Sequence, residues 1–389
     1  MSRDQLSRLA ASAIKNLYRP SVVALVYYAI FLGWVLSSYQ NDATVFAYIG
    51  TMFADRQGSM GEIVREIGFG PPFYRFGYDG QFYYYIALDP FNAWQLLDNI
   101  GRYQRILYPL LVRSLSFGIL PLIPYLMVAV NLAFVAVGAE SLARLLKLHQ
   151  LNPWYSIGYA FHIGTLVCLR RDLAETIMCA FVLAAIYLIE TRGVTPVASL
   201  LLSLGLFTKE VAILFVAPYL LWCMVAAGHS KTKAATLAAL TILPYSLFQL
   251  LLLYRFGLVS FMQVGNLQTA NYIPFNGMTK FLAGQPFLEQ VSVTILLAIP
   301  AIGALGVFLN SMIKKRYHPL LVALLLNGLS LIFMPPESLA DVFSYARVSL
   351  APTVAWMAYA AVFRDKRMLA YSILWTIPFQ YMHLGWLTY

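Results

Sequence analysis

The chain has 389 residues, 60% hydrophobic and only 11% charged, with a formal net charge of +10 and a mean hydropathy of +0.69. Soluble domains carry about 25% charged and about 45–50% apolar residues. An aqueous enzyme, a disordered chain and a secreted disulfide scaffold are therefore excluded, and an all-α, polytopic transmembrane helical bundle remains. The basic excess reads as the positive-inside bias of loops rather than as a nucleic-acid surface, so membrane lipids are expected partners and nucleic acid is not.

The start, residues 1–20, is basic and amphipathic. The apolar run from Val22 to Leu36 lacks a small-residue cleavage site, which predicts a retained first span at 21–38. Further apolar stretches lie at 117–138, 153–169, 174–190, 195–208, 211–228, 234–254, 290–310, 319–334, 348–363 and 369–388, giving about eleven spans. A long first loop covers about 38–105, with turn signals at Gly68, Gly70, Pro71, Pro72, Gly77 and Gly80 and helical stretches near 59–67 and 91–106. A second long loop covers 255–289, with Pro274 and Gly277. If the N-terminus is inside and the spans alternate, the inner segments hold fifteen lysines and arginines against four acids, and the outer side keeps twelve bases and thirteen acids. That asymmetry predicts a cytoplasmic N-terminus and places both long loops outside. The chain reads as one transmembrane catalytic domain, 1–389, without internal repeats. No Asn-x-Ser/Thr sequon occurs, which favours a prokaryotic plasma membrane.

Cys168, Cys179 and Cys223 fall in apolar runs at unrelated spacings and read as small core residues. His149, His162, His229, His318 and His383 are too scattered to suggest a metal site. A divalent cation would need the fold to bring Asp42, Asp79 and Asp172 together.

The leading candidate for chemistry is the run Phe76-Gly77-Tyr78-Asp79-Gly80-Gln81-Phe82-Tyr83-Tyr84-Tyr85. Gly80 permits a sharp turn that would present Asp79. The aromatics suit either a membrane-interface belt or stacking on a sugar. A partly desolvated carboxylate has a raised pKa and can accept a proton; the competing reading is an acidic turn residue within an aromatic belt. Arg170-Arg171-Asp172 with Glu175, then Lys209-Glu210, then Glu337, Asp341, Tyr345 and Arg347 all fall at the outer boundary. Charges there pair with one another or bind something, so ion pairs such as Arg170 with Glu175 or Lys209 with Asp341 are the alternative. Taken together, Asp79 with Arg170, Arg171, Lys209 and Arg347 places one acid and several cations on one side of the membrane. Such a group suits a phosphate-bearing lipid: the cations hold the phosphate and the acid deprotonates an attacking hydroxyl. Asp42, just after the first span, is a second candidate acid. Asp89, before Pro90, reads as a turn or helix-start residue. Arg102 and Arg105 are expected on an interfacial helix facing lipid head groups.

Tyr78-Asp79-Gly80-Gln81-Phe82-Tyr83-Tyr84 resembles the Tyr-Asp-Gly-Gln-aromatic-Tyr segment of GT-C type membrane glycosyltransferases, in the branch similar to bacterial and PIG-V-like mannosyltransferases. Arg171-Asp172-Leu173-Ala174-Glu175, Thr208-Lys209-Glu210 and Tyr345-Ala346-Arg347 resemble further landmarks of that family, so the likeness extends over about residues 20–350. The resemblance implies a many-helix membrane fold whose first outer loop forms interfacial helices. It implies a polyprenyl- or dolichyl-phosphate-linked sugar donor, inversion at the anomeric carbon, and an acidic general base. Carried onto this sequence, it makes Asp79 the base and puts Arg170, Arg171, Lys209 and Arg347 at the donor phosphate. Tyr78, Gln81, Tyr83, Tyr345 and Glu210 become substrate-binding residues. Relatives often place the acid soon after the first span, which keeps Asp42 in contention. The acceptor is unknown, and the outer loops are expected to recognise it. The rival expectations are a transporter or lipid flippase, and a lipid-linked glycan ligase or polymerase.

Overall fold

The computed structural model describes residues 19–67, 75–225, 231–259 and 272–382. The amphipathic start, the turn signals at 68–72, His229, His383 and the middle of the second long loop lie outside the described residues. Every regular element among the described residues is helical.

Among the described residues, four helices are long and apolar enough to cross a membrane: Pro20–Ser38, Leu120–Leu148, Lys231–Phe256 and Phe287–Ile313. The first shows how they are built. Pro20 sits at its start, where a missing N–H costs nothing. Ala24, Tyr28, Leu32 and Val35 recur at helical spacing and are buried; this helix packs on Ile123–Leu148. Its other face, with Val26, Ile30 and Trp34, is at least half exposed and equally apolar. A helix apolar on its solvent-facing side needs lipid or a partner there. Leu243, Leu247, Leu250 and Leu251 give the Ile242–Phe256 helix the same outward face.

Within the described residues, the other seven expected spans are shorter, interrupted, or charged at both ends; the ends of 211–228 and 369–388 lie outside the described residues. Pro196–Thr208 and Leu350–Val362 have 13 residues each and Pro319–Ile332 has 14, or roughly 20 Å against a hydrocarbon core of about 30 Å. Hydropathy counts apolar residues but does not register where the helix stops. The stretch expected as a span at 153–169 breaks between Ala160 and Ile163. There Tyr28 donates to the Ala160 carbonyl at 2.9 Å and Gln380 donates to that of Phe161 at 2.8 Å. His162 caps the new helix by accepting from the Gly164 amide at 2.9 Å. Phe287–Ile313 carries a π-helical turn at Thr294–Ala298, and Tyr371 donates to the Ile295 carbonyl within it at 2.7 Å. Cys168, Cys179 and Cys223 are buried thiols, as the sequence predicts.

Two helices that are apolar all round form the centre. Every residue of Leu350–Ala361 is buried, and so is every residue of Gly80–Leu88. The second corrects an expectation: Phe82, Tyr83, Tyr84 and Tyr85 belong to a core helix rather than to an interfacial belt. A nine-residue helix reading GQFYYYIAL has no polar face to turn outward. Arg113 closes its far end by donating to the carbonyls of Ala87 and Leu88. The segment between Ser38 and Leu107 thus feeds one buried helix into the bundle. The expected helix at 59–67 is present as Ser59–Ile67. The expected helix at 91–106 is replaced by the short 3-10 turns Ala93–Gln95 and Ile100–Arg105. Asp89 and Asp98 take up backbone amides there, of Phe91 and Asn99 respectively, and this local bonding competes with a continuous helix.

Candidate active site

The turn that carries Asp79 is fixed by two glycines. Gly77 has φ +66°, and a Cβ there would lie 2.5 Å from the Gly50 amide nitrogen. A Cβ on Gly80 would lie 2.2 Å from the carbonyl oxygen of Arg171. The Asp79 turn is therefore pressed directly onto the backbone of 170–172. Gln81 locks it from the other side, accepting from the Gly50 amide at 3.0 Å and donating to the Phe76 carbonyl at 2.9 Å. Gly80→Ala should force this contact apart at a cost of about 1–3 kcal/mol. The check is a lower melting temperature in detergent together with loss of whatever activity depends on Asp79.

Asp79 occupies the N-terminal boundary of the Gly80–Leu88 helix but makes no side-chain cap. Its carboxylate instead faces a cavity of about 670 Å³. One oxygen lies 3.0 Å from Arg102 Nη2, and the other accepts a short hydrogen bond from Arg347 Nη1. Arg347 rides on the Val342–Val348 helix, its guanidinium 5.1 Å from the Tyr78 ring centroid, and its buried Nε makes no hydrogen bond. Arg102 also holds Asp98 through two hydrogen bonds of 2.9 and 2.7 Å. Deeper in, Arg105 grips Glu210 with both arms at 2.8 and 2.6 Å, and its third nitrogen reaches Tyr83 Oη at 3.5 Å. Lys209 pairs with Glu175, whose other oxygen is buried without a hydrogen bond.

The structure brings together Asp79, Lys209, Glu210 and Arg347 as lining of one cavity, and adds Arg102, Arg105, Asp98, Glu175 and, at the rim, Glu337. Arg102 and Arg105 were expected to face lipid head groups. They point inward because the 3-10 turn Ile100–Arg105 replaces the expected surface helix. Their sequence signal was the pair of bases three apart beside a carboxylate, Asp98. The wall also has an apolar side, with Met178, Leu214, Phe333 and Pro352.

Arg170 and Arg171 do not line the cavity. Arg170 is fully buried, donates to the Val45 carbonyl at 3.2 Å and lies 5.6 Å from the Phe46 ring centroid. Arg171 is 3.5 Å from the Tyr48 ring centroid and 4.5 Å from that of Phe343. Tyr48 accepts the Tyr78 amide through its carbonyl at 2.9 Å, and Phe343 lies one helical turn before Arg347. Arg171 thus joins the element carrying Asp79 to the one carrying Arg347, a cation–π clamp rather than a phosphate ligand. Gln81 and Tyr83 also serve the scaffold, as does Tyr345, which donates to Glu289. Tyr78 packs under Arg347, with its hydroxyl 3.4 Å from Ser344 Oγ. Asp42 accepts from the Thr44 amide and hydroxyl at 2.9 and 2.7 Å; it is a turn residue, and so is Asp89. Asp172 is fully buried with φ +48°, and burial raises its pKa well above the ordinary carboxyl value. Asp341 caps the Val342–Val348 helix through the Ser344 amide at 2.7 Å rather than meeting Lys209. The three aspartates 42, 79 and 172 share no site, and no group of three or more His, Cys, Asp or Glu among the described residues is arranged to hold a metal ion.

The electrostatics also differ from expectation. Burial alone would raise the Asp79 pKa, but Arg102 and then Arg347 outweigh it and hold the carboxyl well below its usual range. For Glu210, burial raises the pKa and Arg105 overcomes it, bringing it down to about 2. The lining has four cations (Arg102, Arg105, Lys209, Arg347) and five carboxylates (Asp79, Asp98, Glu175, Glu210, Glu337). Each cation already faces a carboxylate, because an unpaired charge out of water is far costlier than a paired one. No family model matches the chain, and no curated protein or solved structure matches it.

Proposed function

We propose that the chain is an integral-membrane glycosyltransferase of the GT-C type with about eleven spans, an inside N-terminus and an outward-facing active site. It moves a sugar from a polyprenyl- or dolichyl-phosphate carrier to an acceptor hydroxyl. The observation that carries this reading is the meeting, in one cavity, of Asp79 from the long 39–106 segment with Arg347 from far along the chain and with Arg102, beside an apolar wall. The cavity volume suits a sugar phosphate, and the apolar side suits the first isoprene units of a carrier.

Asp79 takes the proton of the acceptor hydroxyl. The oxygen attacks the anomeric carbon from the face opposite the phosphate. The C1–O bond to phosphate breaks with its electron pair on the phosphate oxygen, which gives an inverted glycoside and the free lipid phosphate. Arg347 and Arg102 stabilise the charge of the departing phosphate. That group leaves as an anion, so one base is sufficient and no general acid is required.

A transporter is the second reading, favoured by the interrupted helix at 161–162. Proteoliposomes loaded with labelled polyprenyl-phosphate sugar separate the two. Our reading expects release of free polyprenyl phosphate and a labelled glycoside when acceptor alcohols are supplied. Movement of intact donor between leaflets without cleavage favours the transporter.

A further inference from the structure

We propose that Asp79 and the donor phosphate compete for the same two guanidiniums, so that the catalytic carboxylate is locked until an anionic donor displaces it. The inference rests on the reading of the cavity as a lipid-phosphate site and concerns how that site is switched on.

Both Asp79 oxygens are occupied, one by Arg102 and the other by Arg347. A carboxylate held this way is a poor proton acceptor, because each guanidinium stabilises its charged form. The cations are equally committed. Arg105 is taken by Glu210 and Lys209 by Glu175, so each of the four described cations that line the cavity already has a carboxylate partner when a phosphate arrives. The Asp79 pairs are also the ones best placed to open. Arg102 retains Asp98 through two hydrogen bonds if it releases Asp79. Arg347 has an Nε–H still unused and a Tyr78 ring to lie against, so its fork can turn to a phosphate through Nε and one Nη. Asp79 has no side-chain cap to fall back on. Displaced, it stands in a half-buried site without its counter-charges, where its affinity for a proton rises. The order of events follows: donor first, then a competent base, then the acceptor. Until a donor arrives, water at Asp79 meets only a carboxylate held by two guanidiniums. After transfer the proton on Asp79 passes to water before the ion pairs re-form.

The test is equilibrium binding of a synthetic polyprenyl monophosphate to the purified full-length chain in nanodiscs, comparing wild type, Asp79→Asn and Glu337→Gln. Competition predicts that Asp79→Asn binds the phosphate about tenfold more tightly than wild type, equivalent to about 1.4 kcal/mol, although it cannot catalyse. Glu337→Gln removes a carboxylate from the rim of the same cavity without touching either guanidinium, and should gain less than about threefold. Equal or weaker binding by Asp79→Asn overturns the lock and leaves the functional reading standing. An equal gain in both variants also overturns it, since general repulsion would then explain the effect. Failure of wild type and both variants to bind overturns the functional reading and the lock together.

Discussion

Asp79→Asn is expected to leave the protein folded and to lower sugar transfer by about 10²–10⁴-fold, the range a positioned general base contributes. The fold should survive because neither guanidinium is stranded. Arg102 keeps Asp98 at 2.7 Å, and Arg347 keeps the Tyr78 ring at 5.1 Å. Both side chains are 15–18% exposed to the cavity, where water can solvate them. The turn itself is held by Gly77, Gly80 and Gln81, none of which depends on the carboxylate. An initial-rate assay on protein whose melting temperature lies within a few degrees of wild type measures this. Activity within a factor of three of wild type removes Asp79 from the role of base.

The second large effect is expected at Arg347. Truncation to alanine removes the cation that links the Asp79 turn to the Val342–Val348 helix, and it leaves Arg102 to hold a phosphate alone. Cutting one partner from a desolvated charge pair typically costs about 2–5 kcal/mol, so donor affinity should fall by roughly 30-fold or more. Arg347→Lys should restore only part of it, because an ammonium keeps the charge but loses the planar fork and the stacking on Tyr78. The measurement is KM for the donor, with kcat followed separately. An unchanged donor KM in Arg347→Ala removes the arginine from the phosphate site.

How far the sequence foretold this arrangement depended on whether direction was needed as well as position. The Asp79 turn was legible because Gly77 and Gly80 flag a backbone conformation and a close approach that only glycine satisfies. Lys209, Glu210 and Arg347 were legible as charges at the ends of apolar runs, where an ionisable residue is seldom idle. Arg170 and Arg171 satisfied the same rule yet turned into the core, one against Phe46 and the other between Tyr48 and Phe343. Apolar patterning gives the end of a helix but not the aromatic faces that wait there for a guanidinium. Arg102 and Arg105 were missed for the opposite reason. Their stretch has helical composition, but Asp89 and Asp98 bond to backbone amides and break it into short turns that point both side chains inward. The aromatic run at 82–85 was misplaced because tyrosines suit an interface and a core equally, and only packing decides. The expected span at 153–169 is interrupted at 161–162 because that break is made by distant groups, Tyr28 and Gln380, which no local window contains.

The position of a bound donor is the most direct measurement. A cryo-electron microscopy structure of the full chain with a non-cleavable polyprenyl-phosphonate sugar is expected to show the phosphonate bonded to Arg347 and Arg102. Asp79 should have turned away from both, within hydrogen-bond reach of the face of the anomeric carbon opposite the phosphonate. Density for the analogue elsewhere on the molecule, or in this cavity with its anomeric carbon beyond the reach of Asp79, would contradict it.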